Sequence, residues 1–279
     1  MFNWVGNKIK YIDKIKTLTK NFTTAVDGMM GSGNVLIELA KTHTIIGNDV
    51  IPLMPNIYNN FASFSISENH FNNIINDWKF DEKEHYYNFR EYWNNKYLNK
   101  DYDSTFLLET FLLLKMCSNS MVRFNLKGKF NQGFRGCNGP FFQNVDINKW
   151  TKNLIKIKNI LKNAKTQYYN LDIIEFLKLI NINEKTVFIF DPPYVLSNKM
   201  YSLNFSEEHE KKIINFIKSN ELKFIYFNFE EREKIINKQI RDFAKDYNKI
   251  TLSNKSASGQ NRIKTSEVKE VLITNIEIH

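Results

Sequence analysis

Residues 23–49 read TTAVDGMMGSGNVLIELAKTHTIIGND: an apolar run, a glycine-bearing loop, an apolar-periodic stretch, a second apolar run and an acid. That is the grammar of a nucleotide-binding βαβ unit, and it commits the chain to an α/β sheet. The spacing predicts a strand over 23–26, a helix over 34–41 and a short strand ending on the pair Asn48-Asp49. Gly31 and Gly33 open the helix, but Leu36 stands where a dinucleotide fingerprint has its third glycine, which argues against a nicotinamide site. No Gly-Lys-Ser/Thr follows, so a phosphate-cradling P-loop is disfavoured as well. What remains is a loop that a ligand can approach closely, with Asp49 placed to accept from ribose hydroxyls. A plain strand–helix turn with an exposed acid is the equal alternative on these residues alone.

A second stretch, FIFDPPYVLS at 188–197, tips the balance. Proline cannot donate to a strand ladder, so the apolar run 187–190 must stop at Asp191. Ordinary turns favour Gly, Asn or Asp, not two prolines and a tyrosine. An acid at the carboxyl end of a strand lies where open α/β sheets bind ligands. Pro192 and Pro193 hold the backbone so that the Asp191 carboxylate and the Pro192 carbonyl can share one small space. Two fixed acceptors suit a planar amino group, and Tyr194 can stack on the ring that bears it.

Strand patterns return in TQYYNLD, TVFIFD, LKFIYFN and EVLITN, with helices expected near 206–219 and 230–245. YIDKIKTLTKNF reads as a short helix with Ile12, Ile15 and Leu18 on one face. Between about 51 and 162 aromatics and Asn dominate. Helices are expected at 85–97 and 104–116, then a glycine-punctuated loop or hairpin at 118–142 and a basic amphipathic helix in INKWTKNLIKIKNILKN. The simplest organisation is an α/β sheet domain interrupted by an aromatic, basic insertion. Hydrophobic residues at 42% argue against disorder, and a formal net charge of +9 suits a polyanionic partner. Cys117 and Cys137 form no metal-ligand spacing and the histidines no H-E-x-x-H pair, so no metal is expected. The start lacks a signal peptide's apolar core and no stretch has the length to span a bilayer, so the expected setting is cytoplasmic.

The ordered set FNWVGNK, VDGMMGSGNV, GNDV, SNSMVRFNLKGKFNQGF, FDPPY and SEVKEVLITN resembles the Dam-type (alpha-group) DNA adenine-N6 methyltransferases of bacteria and bacteriophages. The resemblance is collinear over nearly the whole chain. It implies a Rossmann-like, S-adenosylmethionine-dependent sheet with helices on both faces. It further implies a discontinuous catalytic domain, 1–55 with 163–279, and a mainly helical target-recognition insertion, 56–162, carrying a β-hairpin loop.

Roles follow position by position from that resemblance. Trp4, Gly6, Asn7 and Lys8 would line the methionine end of the cofactor. Asp27, Gly31 and Gly33 match the glycine element, with Met29 where the family has phenylalanine. Asp49 matches the ribose acid; Asp172, with Ile173 beside it, matches the acid that holds the cofactor's adenine. Asp191, Pro192, Pro193 and Tyr194 match the catalytic motif, Asp191 also bordering the cofactor. The implied DNA-facing set is Lys8, Asn119, Met121, Arg123, Asn125, Lys127, Lys129, Gly133, Arg135 and Arg262. In it Arg123 is suited to bidentate readout of guanine, and Met121 to a thymine methyl. GATC or a related short site is the implied target, although Gly133-Phe134-Arg135 departs from the usual PFG. Lysines of the 147–163 helix would meet phosphates.

The expected reaction is methyl transfer to the N6 amine of a flipped-out adenine in duplex DNA. Cytosine carbon-5 chemistry is excluded because neither cysteine follows a proline. The expected partners are double-stranded DNA and a cognate restriction endonuclease, the enzyme acting as a monomer that can pair on DNA within the nucleoid. A catalytically silent DNA-binding module is the reading from a different class. Methylation of RNA or a protein glutamine is a third, disfavoured because such enzymes generally carry Asn at the Asp191 position.

Overall fold

The structure, a computed structural model, describes residues 4, 6–120, 122–136, 141–196, 205–255 and 267–277. Met121 and Arg262 lie outside the described residues. The strands are β1 (Thr24–Asp27), β2 (Thr44–Asn48), β3 (Thr166–Tyr169), β4 (Thr186–Phe190), β5 (Lys223–Arg232), β6 (Ile235–Ile236), β7 (Asn248–Lys255) and β8 (Glu267–Thr274). They form one sheet in the order β3-β2-β1-β4-β5-β8-β7, with β6 hairpinned onto β5. The first five are mutually parallel and β8 and β7 antiparallel. From β1 the chain runs outward through β2 to β3, then returns to β4 on the other side of β1. The β1/β4 junction is therefore the topological switch point, where such sheets open a crevice at their carboxyl ends.

The parallel strands are apolar on both faces, as a sheet covered on both sides requires. Ala25, Ile45, Val187, Ile189, Ile225 and Leu272 face one core, whereas Val26, Phe188, Phe190, Phe224, Tyr226 and Ile273 face the other. The second core is closed by α8 (Ile173–Leu179), α9 (Glu207–Ser219) and α10 (Lys238–Phe243), through Phe176, Ile213, Ile217 and Phe243. The first takes α1 (Ile12–Thr19), α2 (Asn34–Leu39) and α3 (Leu53–Asn59). It also takes α4 (Glu68–Trp78), α5 (Lys83–Leu98), α6 (Phe106–Met116) and α7 (Ile147–Asn163). Phe71, Tyr86, Trp93, Phe106 and Leu154 from these helices belong to the same continuous cluster as Ala25 and Val187. The aromatic stretch between β2 and β3 is thus fused to the sheet by a shared core. No helix among the described residues is long and apolar enough to cross a membrane.

One expected element differs. The helix read over 230–245 is a hairpin in its first half: β5 runs on to Arg232, turns at Glu233 and Lys234 with φ of +52° and +67°, and returns as β6. The second half is helical, α10 running on into a 3-10 turn over Ala244–Asp246. The charged run EEREK favours a helix locally, but pairing of Phe229 and Arg232 with β8 holds the segment extended.

Candidate active site

The glycine loop connects β1 to α2 with Gly31 at φ +51° and Gly33, the residue before the helix, at φ +67°. Sequence reasoning makes these glycines room for a ligand; the chain's own aromatics use much of it. A Cβ on Gly31 would lie 2.8 Å from the Trp4 indole nitrogen, and one on Gly33 2.6 Å from the Tyr58 ring. Trp4 is thereby seated on the loop. Asp49, at the end of β2, accepts from the Gly31 N–H at 2.8 Å and the Ile51 N–H at 2.9 Å. Burial pushes its carboxyl up to about 6.

Asn48 ties the next piece in. Its amide donates to the Gly28 and Leu171 carbonyls at 3.0 and 3.1 Å and accepts from the Leu171 N–H at 3.0 Å. Asp172 then caps α8, its Oδ1 accepting from the Ile174 N–H at 2.8 Å while the residue stays exposed. Ile173 is buried, and a Cβ on Gly28 would lie 2.5 Å from its Cδ1. The expected adenine-holding pair is so brought beside the glycine loop.

At the switch point Asp27 and Asp191 end adjacent strands. Asp27 is buried and accepts from the Met29 N–H at 3.1 Å. Burial, with the charges of Asp191 and Asp49 adding, pushes its carboxyl up to about 8, so it is largely protonated at neutral pH. Asp191 is 24% exposed and faces Lys8, which is 4% exposed. The ammonium lies 2.8 Å from Oδ1 and 2.9 Å from Oδ2, and also donates to the Gly6 carbonyl at 2.6 Å. Lys8 arrives there because Asn7 caps a 3-10 turn over Lys8–Tyr11, its side chain accepting from the Ile9 N–H. Burial raises the Asp191 carboxyl while Lys8 and Tyr194 oppose the shift. Pro192 is buried, and its carbonyl accepts no hydrogen bond among the described residues.

Tyr194 turns back on this cluster. Its hydroxyl lies 3.1 Å from Asp191 Oδ1 and 3.2 Å from Glu270 Oε1, and its ring meets Phe229 edge-on at 4.3 Å. Burial and the two acids hold the phenol well above its ordinary pKa, so it acts as a donor. Glu270, on β8, is also 3.5 Å from Lys8 and accepts from the Tyr11 hydroxyl at 3.0 Å. Sequence reasoning missed Glu270 and Tyr11. An acid at a buried position of a terminal apolar strand was the available signal, in KEVLIT.

Of the expected DNA-facing residues, Asn119, Arg123, Asn125, Lys127, Lys129, Gly133 and Arg135 sit on a loop pinned to α5 and α6, whereas Lys8 is buried against Asp191. Antiparallel bridges pair Cys117 with Phe134 and Phe124 with Phe130. Buried Asn94 brackets Phe130, accepting from its N–H at 2.8 Å and donating to its carbonyl at 3.0 Å. The Asn125 side chain accepts from the Lys127 and Lys129 N–H groups, closing a turn that leaves Leu126 94% exposed. Lys129 pairs with Glu91, and Arg135 lies over the Phe141 ring and donates to the Lys115 carbonyl. The Ser118 N–H donates to the Gly133 carbonyl at 2.8 Å, and Asn119 adopts φ +59°. Arg123 is exposed, with no hydrogen bond or ion pair to its side chain among the described residues.

Among known families, the model described as D12 class N6 adenine-specific DNA methyltransferase matches residues 4–257. No curated protein matches the chain.

Proposed function

The chain belongs to the D12 class of N6 adenine-specific DNA methyltransferases, and on that premise we propose that S-adenosylmethionine is its methyl donor and that Asp191, Pro192 and Tyr194 receive the target adenine. The donor set fits that cofactor. Asp49, Asp191 and Glu270 are buried or half-buried around the switch point, opposed by the buried Lys8 ammonium. An excess of carboxylate suits a sulfonium cation. Trp4, Gly6, Asn7 and Lys8 would hold the methionine end, Gly31, Gly33 and Asp49 the ribose, and Asp172 with Ile173 the adenine. When bound, S-adenosylmethionine supplies the electrophilic methyl carbon.

The chain's task is to prepare the nucleophile. The adenine amino group is weak because its lone pair is delocalised into the ring. Donation of one N–H to the Asp191 carboxylate and the other to the open Pro192 carbonyl favours a pyramidal nitrogen with a localised lone pair. In-line attack then needs only proximity, and the amine sheds its proton afterwards. The base must leave the duplex to reach these acceptors, with the Tyr194 ring against it. Residues 56–162 would read the site, GATC or a related sequence, through Arg123 on its pinned loop, and 1–55 with 163–279 would carry the chemistry.

The observation that carries this reading is a Lys8-anchored carboxylate beside an unengaged carbonyl at the switch point. Tritium transfer from labelled S-adenosylmethionine to duplex DNA, RNA and protein tests it, with long-read sequencing to locate the methyladenine. Incorporation into DNA alone, lost in Asp191→Ala, is expected. Robust turnover by that variant would sink the site assignment.

A further inference from the structure

We infer that Glu270 is a positioning residue for methyl transfer, taking over the Lys8 ammonium and the Tyr194 hydroxyl when an adenine amino group claims Asp191. The inference rests on the reading of Asp191 as the adenine acceptor.

Asp191 is already engaged without substrate. Lys8 spans both its oxygens at 2.8 and 2.9 Å, and Tyr194 adds a third donor at 3.1 Å. An incoming N–H competes with those donors for lone-pair density. Glu270 stands where they can go. The single hydroxyl proton of Tyr194 has two carboxylate acceptors at almost equal range, 3.1 and 3.2 Å, and can serve one at a time. Lys8 is 3.5 Å from the same Glu270 oxygen, so a small swing of the ammonium completes that contact.

The strand geometry supports this aim. Phe229 pairs with Glu270 but Glu231 pairs with Lys269, so Glu230 is an extra residue in β5. On the other side Thr251 pairs with Val271 and Ser253 with Glu270, so Leu252 is an extra residue in β7. Bulges in both neighbouring strands meet β8 at Glu270, and bulges are the usual means of re-aiming a side chain beside a site. The other oxygen of Glu270 is held by the Tyr11 hydroxyl at 3.0 Å, with the Lys10 ammonium at 3.6 Å. One oxygen is therefore fixed and the other faces the movable donors.

The test compares wild type, Glu270→Gln and Glu270→Asp in single-turnover methyl transfer to a duplex bearing the target adenine. Dissociation constants for DNA and S-adenosylmethionine, and thermal melting, are measured alongside. Weakening hydrogen bonds to a charged acceptor predicts a rate loss of roughly tenfold to a hundredfold in Glu270→Gln. Both dissociation constants should stay within about twofold, and Glu270→Asp should recover part of the rate. In a Tyr194→Phe background the Gln substitution should cost less than alone, because one of the donors it serves is gone. A folded Glu270→Gln enzyme at the wild-type rate, or a loss matched by weaker binding, would overturn the inference and leave the methyltransferase site standing. Transfer by Asp191→Ala at the wild-type rate would instead overturn the underlying reading.

Discussion

The Lys8 ammonium bridges the two carboxylate oxygens of Asp191 although the residues are 183 positions apart in the chain. A turn near the amino terminus and the end of a central strand thus form one charge pair. Lys8 opposes the rise that burial imposes on Asp191. Lys8→Met should raise that carboxyl further, so the acidic limb of the pH–rate profile moves to higher pH. The loss of methyl transfer should be greatest at the acidic end of the range, where the ionised fraction of Asp191 is smallest. The profile of kcat/KM from pH 5 to 9 checks this.

Asp27 gives a pH dependence of stability with a definite sign. Its carboxyl rises from an ordinary 3.8 to about 8 in the fold, so the native state binds a proton that the unfolded chain has released. Its contribution is fully favourable below about pH 4 and is lost as pH climbs to about 8. Asp27→Asn keeps an acceptor for the Met29 N–H and cannot titrate. Its melting temperature should fall less than that of the wild type between pH 5 and 8, as read by calorimetry.

Gly33 should not tolerate a side chain. Its φ of +67° disfavours L residues by roughly 1–2 kcal/mol, and an added Cβ would press on the Tyr58 ring at 2.6 Å. Gly33→Ala is expected to lower stability by more than the backbone cost alone. Adding Tyr58→Ala should relieve the steric part, which a double-mutant cycle in urea measures.

Asn94 holds the loop that carries Arg123. Asn94→Ala leaves the buried N–H and C=O of Phe130 without those partners, an expected cost of about 2–4 kcal/mol. The same change should speed proteolysis near the exposed Leu126, seen by timed digestion.

Arg123→Ala should leave folding unchanged and weaken recognition. If the guanidinium reads a guanine, discrimination against the substituted base pair falls by roughly 1–3 kcal/mol. If it meets only phosphate, all duplexes weaken alike. Dissociation constants on matched and single-substituted duplexes separate the two.

Much of this was legible in the sequence because local rules and tertiary needs agree. The glycine loop must be left-handed at its two glycines, and FDPPY must stop its strand, so β1, α2, β2 and β4 fall close to where pattern reading puts them. Ser206 announces α9 with a cap that the structure completes with His209. The segment 230–236 was misread because strand pairing to β8 overrides the helix propensity of a charged run. Glu270 was legible only as an acid inside the apolar run KEVLIT; its aim was not, since the bulges in the neighbouring strands that flank it are long-range features. Asp49 and the glycines show a subtler gap: their positions were readable, but not that Trp4, Tyr58 and backbone N–H groups occupy them.

The shared core beneath α5 and β4 has a mechanical corollary. Phe130 is clamped by Asn94, α5 packs into the cluster that contains Val187, and β4 ends at Phe190, next to Asp191. The proposed reading loop and reacting carboxylate are therefore tied through one shared core. On that reading the protein works as a gauge, and it is the double helix that must buckle to bring the right base across the gap.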